Sequence, residues 1–220
     1  MKKRIFICFL SLILILNFVS LAFAAAATMY VTPAGAGVKD GTTWAKAMGY
    51  AEWEADFEGA SEAGDIYYVA GGTYTLTSNF DSNLRAGTSI LPISVIGVNV
   101  GTTNEPPLIT DWAVGDNRPL VAMGSYRFRT GGYWKVFNLR GTGTGTIGFS
   151  MDNAFTTYFN CKMSGSPINA FLAIGGPVFV ISCEATTTNV AGIGFNNTSN
   201  QCVYLFCYSH DCVTGFSMPW

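Results

Sequence analysis

YFNCKMSG at residues 158–165, FVISCEAT at 179–186 and YLFCYSHD at 204–211 carry one pattern: an apolar residue, a variable residue, then cysteine. Cys183 follows Cys161 by 22 residues and Cys207 follows Cys183 by 24. VFNLRGTG at 136–143 places Leu139 at the matching position, 22 residues before Cys161. Aligned on these stretches, the chain gives four columns: Phe137/Phe159/Ile181/Leu205, Asn138/Asn160/Ser182/Phe206, Leu139/Cys161/Cys183/Cys207 and Arg140/Lys162/Glu184/Tyr208. Phe149, Phe171, Phe195 and Phe216 form a second aromatic column further along.

Columns of like residues at a period of 21 to 24 mark a chain that winds, each turn laying a strand on the one before. Parallel strands stacked this way lie about 4.8 Å apart, and alternate residues point inward. This alternation places Phe137, Leu139, Phe149, Phe159, Cys161, Phe171, Ile181, Cys183, Phe195, Leu205, Cys207 and Phe216 in one bore. It turns the Asn138 column and the Arg140 column to water. Cysteine recurs because a slim, apolar side chain stacks well in a narrow core.

A disulfide framework is the other use of recurring cysteine. Five of the six cysteines lie beyond residue 27, an odd number, so one of these must stay free or pair with another molecule. Stacked neighbours have parallel rather than converging Cβ vectors, which favours a reduced ladder for Cys161, Cys183 and Cys207. Cys202 and Cys212 fall outside that column and are the pair to expect if any forms. No metal site is expected, because one histidine and an inward ladder cannot build a tetrahedral site, and no cofactor is called for.

Composition sets the broad class. The 220 residues are 49% hydrophobic and 12% charged, enough to bury a core and too little charge for a disordered chain. Lys2, Lys3 and Arg4 precede an uncharged apolar run, and Ala22, Ala24, Ala25, Ala26 and Ala27 supply small-residue cleavage options. Residues 1–27 therefore read as a signal peptide of bacterial form, which sends the chain to the cell surface or beyond. An uncleaved anchor is the competing reading of the same run. Without the leader, nine basic residues face 14 acidic ones, a net charge of −5. That balance argues against nucleic acid as a partner, and cleavage leaves no membrane segment.

Residues 42–63 hold the one convincing helix: Tyr50, Trp53, Phe57 and Ala60 share a face, Thr42 or Thr43 can cap its start, and Gly64 can end it. From Asp65 onward, DIYYVA, ISVIGV and KVFNLR read as strands between turns. Gly141–Gly145, GTGTG, follows a strand without opening a helix and reads as a flexible turn rather than a phosphate loop. Asn196-Asn197-Thr198-Ser199 reads as an Asn-rich turn.

Tyr30-Val31, Gly35, Asp40-Gly41, Trp44, Ala47, Gly64-Asp65, Val69, Gly72 and Tyr74 together resemble the opening of secreted right-handed parallel β-helix proteins of the pectate-lyase-like superfamily. The resemblance implies an all-β, right-handed parallel β-helix with an N-terminal capping strand and helix. It divides the chain into the leader 1–27, a cap at 28–64 and rungs at 65–220, with the first rungs at 66–77. It is specific for architecture and weak for chemistry, since that superfamily holds lyases, hydrolases, epimerases, tailspikes and adhesins.

The enzymes of that superfamily use a calcium-binding carboxylate cluster with an Arg base, or a close Asp trio. Between residues 133 and 220 the acidic residues are Asp152, Glu184 and Asp211, and they form no compact group in sequence. His210 beside Asp211 is a histidine-carboxylate pair only if a turn brings them together, since neighbours on a strand point oppositely. No catalytic residue is therefore assigned. The outward column Arg140, Lys162, Glu184, Tyr208, with Phe206 beside it, is the candidate carbohydrate-binding surface: flat rings to stack on sugars and charged groups to hydrogen-bond them. A salt-bridge ladder on a solvated sheet is its alternative.

Two function classes follow. One is an exported, non-catalytic surface or adhesin-like scaffold that binds an extended polysaccharide or cell-surface glycan. The other is a polysaccharide lyase or glycoside hydrolase whose catalytic rungs lie partly beyond residue 220. The expectation of a chain continuing past Trp220 comes from the last coil, which stops at Met218-Pro219-Trp220 with no closing element.

Overall fold

Each period of the sequence becomes one turn of chain that contributes short strands to three sheets. The structure, a computed structural model, describes residues 26–82, 85–199 and 201–218. Sheet 1 stacks Thr28–Val31, Ile66–Ala70, Ile93–Val98, Trp134–Phe137, Thr156–Phe159, Val178–Ile181 and Cys202–Leu205, in that order. Sheet 2 stacks Thr73–Thr75, Leu120–Gly124, Arg140–Gly143, Lys162–Gly165, Glu184–Thr186 and Tyr208–His210. Sheet 3 stacks Phe80–Asp81, Phe128–Thr130, Ile147–Met151, Asn169–Ala173, Ile193–Asn197 and Thr214–Ser217. The chain visits sheets 1, 2 and 3 in turn, six times, and the pairings within each sheet are parallel: an all-β parallel solenoid. The leader assigned to residues 1–27 lies, up to residue 25, outside the described residues, as do Pro219 and Trp220. Among the described residues no helix is long and apolar enough to cross a membrane.

The inner face of sheet 3 carries a file of rings. Phe80, Phe128, Phe149, Phe171, Phe195 and Phe216 succeed one another at centroid distances of 5.0, 5.7, 5.4, 5.1 and 4.9 Å, close to the strand spacing itself. All but Phe216 are fully buried, and each such ring contributes about 1.5–3 kcal/mol by leaving water. Leu139, Cys161 and Cys183 are buried on the adjoining inner wall, and Cys207 packs half-buried above them. The ladder thiols donate to carbonyls of the turn before: Cys161 to Val136 at 3.7 Å, Cys183 to Tyr158 at 3.6 Å and Cys207 to Val180 at 3.2 Å. All five described cysteines are free, Cys202 and Cys212 included, so the alternative pair does not form.

The Phe137 column departs from the alternation expected of it. Phe159 is 37% and Leu205 45% exposed, and Phe137 and Ile181 are half-buried on the outside of sheet 1. These four residues face away from the bore. The cause is the residue that follows each of them: Asn138, Asn160, Ser182 and Phe206 sit in the left-handed region at φ of 58°, 51°, 53° and 55°. A left-handed residue ends one strand and turns the chain onto the next, so Leu139 points inward although Phe137, two residues earlier, points out. The Asn column is not simply solvated either. Asn138 is buried and accepts a 2.8 Å hydrogen bond from Asn160 Nδ2, a polar ladder that suits asparagine's tolerance of this conformation.

Helix α1 spans Tyr50–Gly59, shorter than the segment read from sequence. Met48 hydrogen-bonds Tyr30 in strand fashion, and Trp44–Lys46 forms a separate 3-10 turn, so neither Thr42 nor Thr43 caps α1. The cap is Gly49, whose N–H donates to Glu52 Oε2 at 3.0 Å. Trp53 and Phe57 are fully buried and pack on the first rings of the file, Trp53 4.7 Å and Phe57 4.2 Å from Phe80. Two loops read from sequence prove to be strand: Gly141 and Gly143 lie within Arg140–Gly143, and Asn196 and Asn197 end Ile193–Asn197.

These positions separate inside from outside energetically. Phe171→Ala should cost about 3–5 kcal/mol in denaturant unfolding, whereas Phe159→Ala should cost about 1 kcal/mol or less. Equal losses would mean that both columns face the bore.

Candidate functional site

The sheet 2 register brings the proposed surface residues into one outward file. Arg140 lies opposite Lys162, Lys162 opposite Glu184, and Glu184 opposite Tyr208. Leu120 and Thr73 continue the file below Arg140. Tyr208 is 63% and Phe206 88% exposed, Phe206 because it occupies the left-handed corner rather than a strand. The charged members are half-buried and engaged. Lys162 Nζ lies 2.8 Å from Glu184 Oε1, and Arg140 Nη1 lies 3.1 Å from Asp116 Oδ1. Part of the file is thus an ion-pair ladder, and its aromatic end is open.

His210 and Asp211, unremarkable as neighbours in sequence, meet because Asp211 is left-handed at φ 55°. Asp211 Oδ2 is 2.8 Å from His210 Nδ1, and Glu184 Oε1 is 3.0 Å from His210 Nε2. Glu184 and Asp211, which sequence columns kept apart, are joined through one ring. Carboxylates only accept, so both bonds are made in full when both ring nitrogens carry a proton, and the pair favours the imidazolium. These two bonds raise the His210 pKa above 6.5. Burial pushes Glu184 up, but the hydrogen bonds from Lys162 and His210 outweigh it and hold the carboxyl below 4.5. Tyr208 stacks on the His210 ring at 5.1 Å, a face laid on a cation. Below its raised pKa the ring, bonded on both nitrogens, supplies positive charge rather than a free base.

Sequence reasoning missed two further groups. On sheet 3, Asp81 Oδ2 accepts from Arg127 Nη2 at 3.3 Å and Arg129 Nη1 at 3.0 Å, and the other arm of Arg129 pairs with Asp152. Ser150 donates to the same Asp152 carboxylate. Here the Asp152 carboxylate finds its partner, but both acids are committed to guanidinium groups. Among the described residues no cluster of three or more His, Cys, Asp or Glu stands ready for a metal ion. The second missed group is Arg118, 6% exposed, at the end of loop 99–119. Its Nε donates to Gly115 O at 2.7 Å, and its Nη1 donates to Asn160 O at 2.7 Å. Arg118, Arg140, Asp116, Thr73 and Gly71-Gly72 line a cavity of about 260 Å³ beside the file. Gly71 is needed there: a Cβ would meet Val100 N at 2.9 Å where the loop closes over it.

The shifts of Glu184 and His210 have opposite signs with pH. Stability from His210, whose folded pKa is raised, is complete below 6.5 and is lost as pH rises through the raised value. Stability from Glu184, whose folded pKa is lowered, is complete above 4.5 and is lost as pH falls through the lowered value. Their contact is therefore fullest between pH 4.5 and 6.5. An NMR titration should place the imidazole midpoint above 6.5, and Glu184→Gln should lower it. A midpoint unmoved by that substitution would deny the coupling.

Solved structures with this fold include an alginate lyase from Paenibacillus sp. str. FPU-7, with a TM-score of 0.55 and 14% identity, covering 84% of this chain and 58% of the lyase. Pectate lyase Pel9A matches with a TM-score of 0.55 and 17% identity, covering 84% of this chain and 48% of that one. The chain spans about half the length of these proteins. No family model matches the sequence, and no curated protein does. At these identities the likeness is one of fold: the chain is a parallel β-solenoid of the pectate-lyase type.

Proposed function

We propose that the protein is an exported, surface-acting solenoid that binds an extended polysaccharide along the outer face of sheet 2 without cleaving it. The observation that carries this reading is the in-register file from Arg140 to Tyr208, one residue per turn of chain. Rungs about 4.8 Å apart repeat at nearly the rise of a sugar unit, so successive residues can meet successive sugars. Phe206 and Tyr208 offer exposed ring faces, and Arg140, Lys162 and Glu184 offer charged hydrogen-bonding groups. The fold likeness to two polysaccharide lyases supports a polysaccharide as partner. The non-catalytic half of the reading is supported by the state of the titratable groups: His210 is bonded on both nitrogens, and Asp81, Asp152 and Glu184 each hold a cation.

A second reading, cleavage of the polymer, draws on that same likeness to lyases. It needs a base and an acid that are free to exchange protons. Incubation with uronic-acid and neutral polysaccharides separates the two readings: release of unsaturated products or new reducing ends would establish cleavage and overturn the first.

For binding, Tyr208→Ala and Phe206→Ala should each weaken retention on a polysaccharide column about tenfold, equivalent to ~1.4 kcal/mol of lost stacking. The far-ultraviolet circular dichroism should not change, because both side chains are exposed. Wild-type retention by both variants would remove sheet 2 as the binding face.

A further inference from the structure

Arg118 holds a charge in an unusual place. The side chain is nine-tenths buried, yet every hydrogen bond it makes among the described residues goes to a neutral acceptor: Gly115 O, Asn160 O and Asn160 Oδ1. Asp116, two residues away, pairs with Arg140 instead, and Glu184 pairs with Lys162 and His210. A guanidinium taken out of water with no anion bonded to it is costly: burial works against its charge, and Glu184 supports it only from a distance. Its three bonds to neutral oxygens satisfy Nε and Nη1 but not the charge, which an anion within reach would complete.

The cavity beside it fits that role. Arg118 and Arg140 both line it, and the Nη2 of each makes no hydrogen bond among the described residues. Arg140 is tied to its neighbour, since its Nε donates to Arg118 O at 3.1 Å, so the two guanidinium groups are set relative to each other by the backbone. The one carboxylate on the lining is Asp116, whose side chain is 87% exposed at the rim. Two cations against one anion leave the cavity with an excess positive charge. Gly71, Gly72 and Thr73 complete the lining, with Gly71 buried and Gly72 and Thr73 exposed. Thr73 and Arg140 belong to the same outward file on sheet 2, separated only by Leu120.

We infer that this cavity is an oxyanion pocket in which Arg118 and Arg140 take a carboxylate or sulfate group of an acidic saccharide. The identity of the carrier as a saccharide rests on the reading of sheet 2 as a polysaccharide face; the oxyanion site itself rests on the two guanidinium groups. Asp116 acts as a stand-in: an incoming oxyanion displaces its exposed carboxylate from Arg140 and reaches Arg118, which Asp116 does not. The polymer is then anchored by one acidic substituent at the Thr73 end of the file and stacked at the Tyr208 end.

The test is a thermal-melting series at constant ionic strength with sodium galacturonate, sodium sulfate and neutral galactose, on wild type, Thr73→Tyr and Arg118→Gln. Thr73→Tyr adds bulk to the cavity lining and replaces neither arginine, so it serves even if Arg118→Gln fails to fold. Galacturonate at ten times its Kd should raise the wild-type Tm by about 4 °C. Galactose should give no rise, and Thr73→Tyr should lose the rise that galacturonate gives. Sulfate raises Tm by exclusion from protein surfaces as well, so only the part of its effect lost in Thr73→Tyr counts. A difference seen with sulfate alone assigns a sulfated saccharide, and one seen with galacturonate alone assigns a uronate. Responses to both anions that are equal in wild type and Thr73→Tyr would overturn the pocket. If wild type responds to galacturonate but a polygalacturonate column does not retain it, the pocket stands and the polysaccharide face fails. Retention without any differential anion response sinks the pocket alone.

Discussion

The left-handed corner between sheets 1 and 2 governs the rest of the structure. Asn138, Asn160, Ser182 and Phe206 occupy it on four successive turns, and each reverses which side chains face the bore. Because the reversal falls at the same place every time, Leu139, Cys161, Cys183 and Cys207 stack inward, and Arg140, Lys162, Glu184 and Tyr208 stack outward. The Asn160–Asn138 hydrogen bond ties two of these corners together, and Arg118 adds donors to the second. Core and outward file are thus two consequences of one backbone conformation.

Packing then limits what the face can do. The ring file on sheet 3 fills the interior at the strand spacing, so the turns stay in register and the outward files stay straight. Loop 99–119 enlarges only the second turn of this corner, where neighbouring turns use two residues. It is held from several sides: Trp112 packs on Phe137 at 5.6 Å, and Trp44 bonds Glu105 and Asn104. That anchoring brings Arg118 beside Arg140 of the sheet 2 file. An outward residue on sheet 1, Phe137, is half-buried for the same reason, since the loop covers it.

The period was legible because columns of Cys and Phe repeat through four regular turns, and it gave the correct register of the Arg140 file. The direction of the Phe137 column was not legible from alternation, which holds only within a strand; the signal that could have marked the break was asparagine, at home in the left-handed region, at positions 138 and 160. Phe206 at the same corner carries no such signal. His210 and Asp211 were visible as neighbours, but their meeting depends on the φ of Asp211. Asp81, Arg127, Arg129 and Arg118 escaped notice because the first turns are interrupted between Asp81 and Ile93 and between Val98 and Leu120, so no fixed period reaches them.

The central claim is that an extended saccharide lies along the file from Thr73 to Tyr208, five strand steps or about 24 Å long. Calorimetric titration with acidic oligosaccharides of increasing length tests it most directly. The account predicts that affinity climbs with each added sugar up to about five or six units and then levels off, as the chain first covers and then overruns the file. Full affinity already present in a disaccharide, or no dependence on length at all, would contradict it.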